Sequence, residues 1–140
     1  MQIDLNKYTE FVDGVTSNAS NDFKTMLASL DTLNGTFYEP EVPVNVPLLI
    51  TGSMGMCGES GEFSEIVKKL IFHGKILTPE IRDHMIKELG DVIWYWTNTC
   101  RALEIDPNEV IALNVKKLES RYPGGKFSIY SSTNRAEGDI

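Results

Sequence analysis

The chain has 140 residues, of which 41% are hydrophobic and 24% charged, the balance of one soluble globular domain. A net charge of −7 excludes a nucleic-acid backbone as partner, but not a small phosphate ligand whose charge a metal offsets. No run reaches the roughly 18 apolar residues of a membrane span, and Met1-Gln2-Ile3-Asp4 lacks the basic start of a signal peptide, so a cytoplasmic protein without membrane association is expected.

Tyr8, Phe11, Val12 and Val15 space one apolar stripe and Phe23, Met26, Leu27 and Leu30 another, which predicts two short helices. The Ser- and Asn-rich stretch Thr16–Asn21 separates them and can cap the second. A loop is expected from Asn34-Gly35 to Pro47, where Pro40, Pro43 and Pro47 prevent regular helix. The first long helix then runs from about Pro47 to Phe72 and stops at His73-Gly74, a C-terminal glycine signal. Thr78-Pro79-Glu80 opens a second, with Thr78 as N-cap and Pro79 at the first helical position, and it ends near Glu104. Gly90 inside it is disfavoured by helix propensity, which predicts a close backbone approach there. A third long helix starts at Asp106-Pro107-Asn108-Glu109, with Asp106 as cap, and stops at Tyr122-Pro123-Gly124-Gly125. No strand alternation competes, so the fold class is all-α: one domain over residues 1–130 and a flexible polar tail over 131–140. Cys57 and Cys100 belong to no CxxC pair and lie in apolar surroundings, where buried free thiols are expected.

Two acidic clusters break the apolar pattern: Glu59 and Glu62 in G-E-S-G-E-F, and Glu88 and Asp91 in K-E-L-G-D-V. Advancing about 100° per residue places Glu59 inside the arc of Phe63, Ile66, Val67 and Leu70, with Glu62 on its edge. Glu65 falls on the opposite, solvated side. On the next helix Glu88 and Asp91, with Tyr95, flank an arc of Ile81, Met85, Leu89, Val92, Trp96 and Leu103. Carboxylates aimed at an apolar interior are unfavourable without positive charge, and few basic residues share these faces. Two facing i, i+3 acid pairs make an oxygen-rich cage suited to a divalent metal, Mg²⁺ above all, handling a phosphate substrate. On the third long helix, Asn114, Lys117 and Arg121 form a stripe bordering Val110, Ile111 and Leu118. Such a stripe suits a polyanion, with Arg a fork and Lys a point charge for phosphate oxygens, although stems snorkelling over apolar surface give the same pattern.

These residues resemble the MazG-like nucleotide pyrophosphohydrolases of the all-α NTP pyrophosphatase superfamily. The likeness runs from about Leu48 to Phe127 and rests on G-M-C-G-E-S-G-E-F-S-E-I, K-E-L-G-D-V-I-W-Y and N-V-K-K-L-E-S-R-Y-P-G-G-K-F, in that order. Many members carry two adjacent glutamates at the start of the first motif, whereas Gly58 precedes Glu59 here, a pattern closer to the dCTP pyrophosphatase branch. Any role of that extra acid is then absent or falls to Glu65. The resemblance implies a bundle of about four long helices per subunit, assembled as a homodimer or homotetramer with shared active sites. It implies that Glu59, Glu62, Glu88 and Asp91 ligate Mg²⁺, with Mn²⁺ as a substitute, and that Tyr95, Asn114, Lys117 and Arg121 approach the nucleotide.

The chemistry expected is hydrolysis of a ribo- or deoxynucleoside triphosphate at the α-phosphorus, giving monophosphate and pyrophosphate and controlling the nucleotide pool. Lys117 and Arg121 would neutralise the leaving pyrophosphate, and a carboxylate such as Glu62 would accept the proton of the attacking water. An alarmone or a modified nucleotide is the alternative substrate, since no feature of the sequence reads the base. Other classes are a non-catalytic nucleotide-binding bundle and a di-iron bundle. The latter uses Glu-x-x-His pairs, whereas His84 stands four residues before Glu88. Trp94 points away from the predicted buried arc of its helix and suggests a contact surface.

Overall fold

The computed structural model describes residues 4–34 and 42–134. Among them all regular structure is helical: α1 (Leu5–Val15), α2 (Asn18–Asn21), α3 (Phe23–Asn34), α4 (Val46–Phe72), α5 (Pro79–Ala102), α6 (Pro107–Arg121) and α7 (Ile129–Thr133). The chain divides into two compact units, Met1–Val46 and Pro47–Ile140.

In the first unit, the Asp4 carboxylate caps α1 by accepting from the Asn6 and Lys7 amides. The expected spacer Thr16–Asn21 contains a helical turn of its own, α2, capped by Ser17. The α3 start is fixed by Asp22, whose carboxylate accepts from the amide and hydroxyl of Thr25 at 2.7 Å each. Those two bonds favour the ionised form and hold the Asp22 pKa below the usual carboxylate value. The stripe of Tyr8, Phe11, Val12 and Val15 is exposed, so it is no core in this chain. Most of the loop expected between Asn34 and Pro47 lies outside the described residues.

The second unit is built on a hairpin of α4 and α5. Helix α4 stops where Gly74 adopts a left-handed φ of 64°, a conformation that glycine takes without a Cβ clash. The amides of His73 and Lys75 both return to the Lys69 carbonyl at 3.2 Å, closing the helix end. Thr78 then caps α5 through Ile81 N–H at 3.3 Å, and Asp106 caps α6 through Asn108 N–H at 2.9 Å, the two caps expected from sequence. Helix α7 begins at Ile129 and runs to Thr133, beyond the point where the loose tail was expected.

The two long helices run antiparallel, with the start of α4 against the end of α5. Gly52 is buried against Thr99, so that a Cβ there would collide with the Thr99 hydroxyl and lie 3.1 Å from the Tyr95 carbonyl. Gly55 lies against Tyr95, whose ring occupies the space a Cβ would need. Near this crossing α5 buries Asn98, Cys100 and Ala102. Asn98 is satisfied there, its amide donating to the Trp94 carbonyl at 3.1 Å and its oxygen accepting from Arg101 at 2.8 Å.

Three sequence expectations are corrected here. Gly90 makes no close approach, because a Cβ there would meet nothing within 4 Å. Cys57 is exposed, and only Cys100 is a buried thiol. Leu89 and Leu103 are half-exposed rather than core. Leu89 belongs instead to a solvent-facing stripe with Ile86, Ile93 (61% exposed) and Trp94 (57% exposed). That stripe lies on the α5 face opposite Glu88, with Gly90 bare in its midst. Helical periodicity identifies apolar faces, not which of them one chain covers.

The glycine crossing yields a test with two opposite signs. Gly55→Ala should destabilise the protein, since overpacking costs about 1–3 kcal/mol and outweighs a helix-propensity gain of about 0.5–1 kcal/mol. Gly58→Ala, into open space on the same helix, should keep that gain and stabilise. Urea unfolding of both variants checks this; stabilisation by Gly55→Ala would refute the close crossing.

Candidate metal centre

One and two turns beyond the glycine crossing, the same hairpin brings acids together. Glu59 of α4 and Glu88 and Asp91 of α5 each offer a carboxylate oxygen, and the three oxygens lie within 4.8 Å of one another. Glu59 is half-buried, Glu88 buried and Asp91 exposed, so the group opens to solvent on one side. The helical spacing explains the arrangement: Glu88 and Asp91 are neighbours one turn apart, and the antiparallel register sets Glu59 opposite them.

Burial pushes the Glu59 carboxyl above its ordinary pKa, and the charge of Glu62, a hydrogen bond with Glu88 and the charges of Asp91 and Glu88 push it the same way. Three acids crowded at a half-buried point repel one another, and a divalent cation held by hard oxygen donors relieves that repulsion. The donor set therefore fits a Mg²⁺-class ion. No His or Cys joins the acids in this group, which removes the softer ligands expected of zinc or a di-iron centre.

The other expected site residues fall into separate positions. Glu62 is exposed and outside the tight group of three, though its charge is felt at Glu59. Tyr95 stands one turn beyond Asp91, half-buried, with its ring on Gly55 and edge-to-face with Trp94 at 4.7 Å. Asn114 and Lys117 are exposed on α6, and Arg121 at its end is half-buried. Glu65 stands outside that group: it pairs with Lys68 and, at 3.3 Å, with Lys69, and these bonds lower its pKa.

Three features of this hairpin had no role in the expectations from sequence. His84 Nε2 lies 2.7 Å from Glu88 Oε1, an i, i+4 pair on α5 that spacing alone could have flagged. Toward the hairpin turn, a cavity of about 220 Å³ is lined by Ile66, Lys69, Leu70, Lys75, Ile81 and His84. The glycine pair Gly52 and Gly55, three residues apart, was likewise a legible sign of close packing.

Residues 52–125 match the family described as the MazG nucleotide pyrophosphohydrolase domain, a span that contains every acid of the centre and all of α5 and α6. The chain is also similar to the "Gene 37 protein" of Mycobacterium phage L5, 38% identical over 74 residues, which is 52% of this chain and 65% of that protein. The chain thus spans less than two thirds of that relative's length. No solved structure matches it significantly.

The crowded acids predict a pH signature without metal. Because the folded Glu59 pKa is raised, its contribution to stability is full below the ordinary carboxylate range and is lost as pH rises through the folded value. In EDTA, the melting temperature should therefore be lower at about pH 8 than at about pH 4.5, the fall beginning above the ordinary carboxylate range. Glu59→Gln should flatten that fall, and saturating Mg²⁺ should restore the wild-type value at the upper end. Calorimetric scans over this range check it; identical slopes for wild type and Glu59→Gln would contradict the crowding.

Proposed function

We propose that this chain, which belongs to the MazG nucleotide pyrophosphohydrolase family, hydrolyses ribo- or deoxynucleoside triphosphates to monophosphate and pyrophosphate, with Mg²⁺ as cofactor. The observation that carries the reading is the convergence of Glu59, Glu88 and Asp91 within 4.8 Å inside the matched domain. Those three would hold the ion, which supplies charge neutralisation to a phosphate chain and lowers the pKa of a water. In the proposed reaction a water oxygen adds to the α-phosphorus, the bond from that phosphorus to the α–β bridging oxygen breaks, and pyrophosphate leaves. Glu62, close enough to influence Glu59 but outside the tight group, accepts the water's proton. Lys117 and Arg121 offset the growing charge on the leaving group, Arg121 as a two-oxygen fork, while Asn114 and Tyr95 contact the nucleotide.

No described helix is long and apolar enough to cross a membrane. The exposed stripe of Ile86, Leu89, Ile93 and Trp94 instead supports self-association as a homodimer or homotetramer, because a contiguous apolar face of this kind marks a contact surface. Bare Gly90 in the stripe lets a second backbone come close.

Pyrophosphate release from a panel of ribo- and deoxynucleoside triphosphates with Mg²⁺ tests the function. Glu59→Gln and Asp91→Asn should abolish turnover with the helical circular dichroism intact. Glu62→Gln should lower kcat while leaving metal affinity near wild type. Lys117→Ala and Arg121→Ala should each lower kcat/KM about ten- to a hundredfold, the worth of a lost charge-assisted contact of about 1.5–3 kcal/mol. Unchanged kinetics beside a lower melting temperature would return the α6 stripe to packing.

Ile93→Asp should shift the protein to smaller species in sedimentation velocity. A wild type that sediments as a monomer at micromolar concentration would refute the assembly.

A further inference from the structure

Glu88 is the most enclosed of the three acids, 6% exposed, and it sits between two neighbours. On one side is the Glu59 carboxyl, with a carboxylate oxygen within 4.8 Å of a Glu88 oxygen. On the other is His84, whose Nε2 lies 2.7 Å from Glu88 Oε1, a short contact of the charge-assisted kind. An ionised carboxylate oxygen only accepts, so Nε2 is the donor in this contact.

The geometry points to His84 as a positioning residue for the metal centre, holding the Glu88 carboxylate in the rotation that presents an oxygen to Glu59 and Asp91. This inference rests on the metal reading above. A carboxylate with one oxygen pinned cannot turn freely about its last side-chain bond, and the remaining oxygen is then aimed. Because His84 and Glu88 are one turn apart on α5, the aim is set by a single helix before any ion arrives. His84 itself is 58% exposed and fills no core space, so packing gives no reason for an imidazole there. Nor does His84 join the group of three, so it acts through Glu88 and not on the ion. Hydrogen-bond partners of metal ligands fix ligand orientation, and losing one typically weakens metal affinity by about ten- to a hundredfold.

Mn²⁺ binding to the full chain, followed by electron paramagnetic resonance without nucleotide, tests the inference independently of turnover. His84→Ala should weaken Mn²⁺ binding by about ten- to a hundredfold with little change in melting temperature. His84→Gln, whose amide can donate to the same oxygen, should recover part of the affinity. Glu88→Gln should lose more than either. Wild-type affinity in His84→Ala, beside a loss in Glu88→Gln, would overturn the role of His84 and leave the metal centre standing. Unchanged affinity in Glu88→Gln would overturn the metal centre itself, and the positioning role with it. Equal losses in His84→Ala and His84→Gln, accompanied by lowered melting temperatures, would assign the effect to folding and overturn the inference.

Discussion

The approach of α4 to α5 at Gly52 and Gly55 is the constraint on which the rest of this hairpin depends. Thr99 and the Tyr95 ring occupy the volume that side chains at those two positions would fill. One and two turns farther along the hairpin, the same register sets Glu59 opposite Glu88 and Asp91. Glycine inside a helix costs about 1 kcal/mol relative to alanine. At Gly52 and Gly55 that loss is offset by close packing; at Gly58 and Gly61, which face open space, it is not.

The acidic group stands against the stability of the bare protein. Burial and neighbouring charge raise the Glu59 pKa, so the folded protein would hold a proton there more readily than the unfolded one. A site shaped only for stability would have replaced at least one of these acids with an apolar residue of similar volume. Three acids meeting from two helices, Glu88 buried among them, form an arrangement whose repulsion a cation would relieve. His84 gives Glu88 a partner within its own helix, so no buried side-chain polar atom among the described residues lacks a hydrogen bond.

The outer surfaces of the hairpin complete the picture. On α5 the acids occupy one face, and Ile86, Leu89, Ile93 and Trp94 occupy the other. A helix with acids on one side and uncovered apolar groups on the opposite side fits the proposed assembly, in which one face would hold the ion and the other would meet a second chain. On α6, Ile111, Leu113, Val115 and Leu118 are further uncovered apolar residues.

The all-α class, the three long helices and their caps at Thr78 and Asp106 were legible in sequence, because capping and periodicity are local and act within one or two turns. The acids were legible for the same reason, as carboxylates recurring at i, i+3 on an apolar edge. Which of them meet was not. Glu62 satisfies the same spacing as Asp91, yet Asp91 joins the group of three and Glu62 does not. That difference comes from the antiparallel register, which depends on how closely Gly52 and Gly55 let two backbones approach across many residues of chain. Gly90 is the converse case: its sequence suggested a contact that its position on the outer face of α5 does not make. Local chemistry determined which residues could serve, and the interhelical register, a long-range steric outcome, decided which of them stand together.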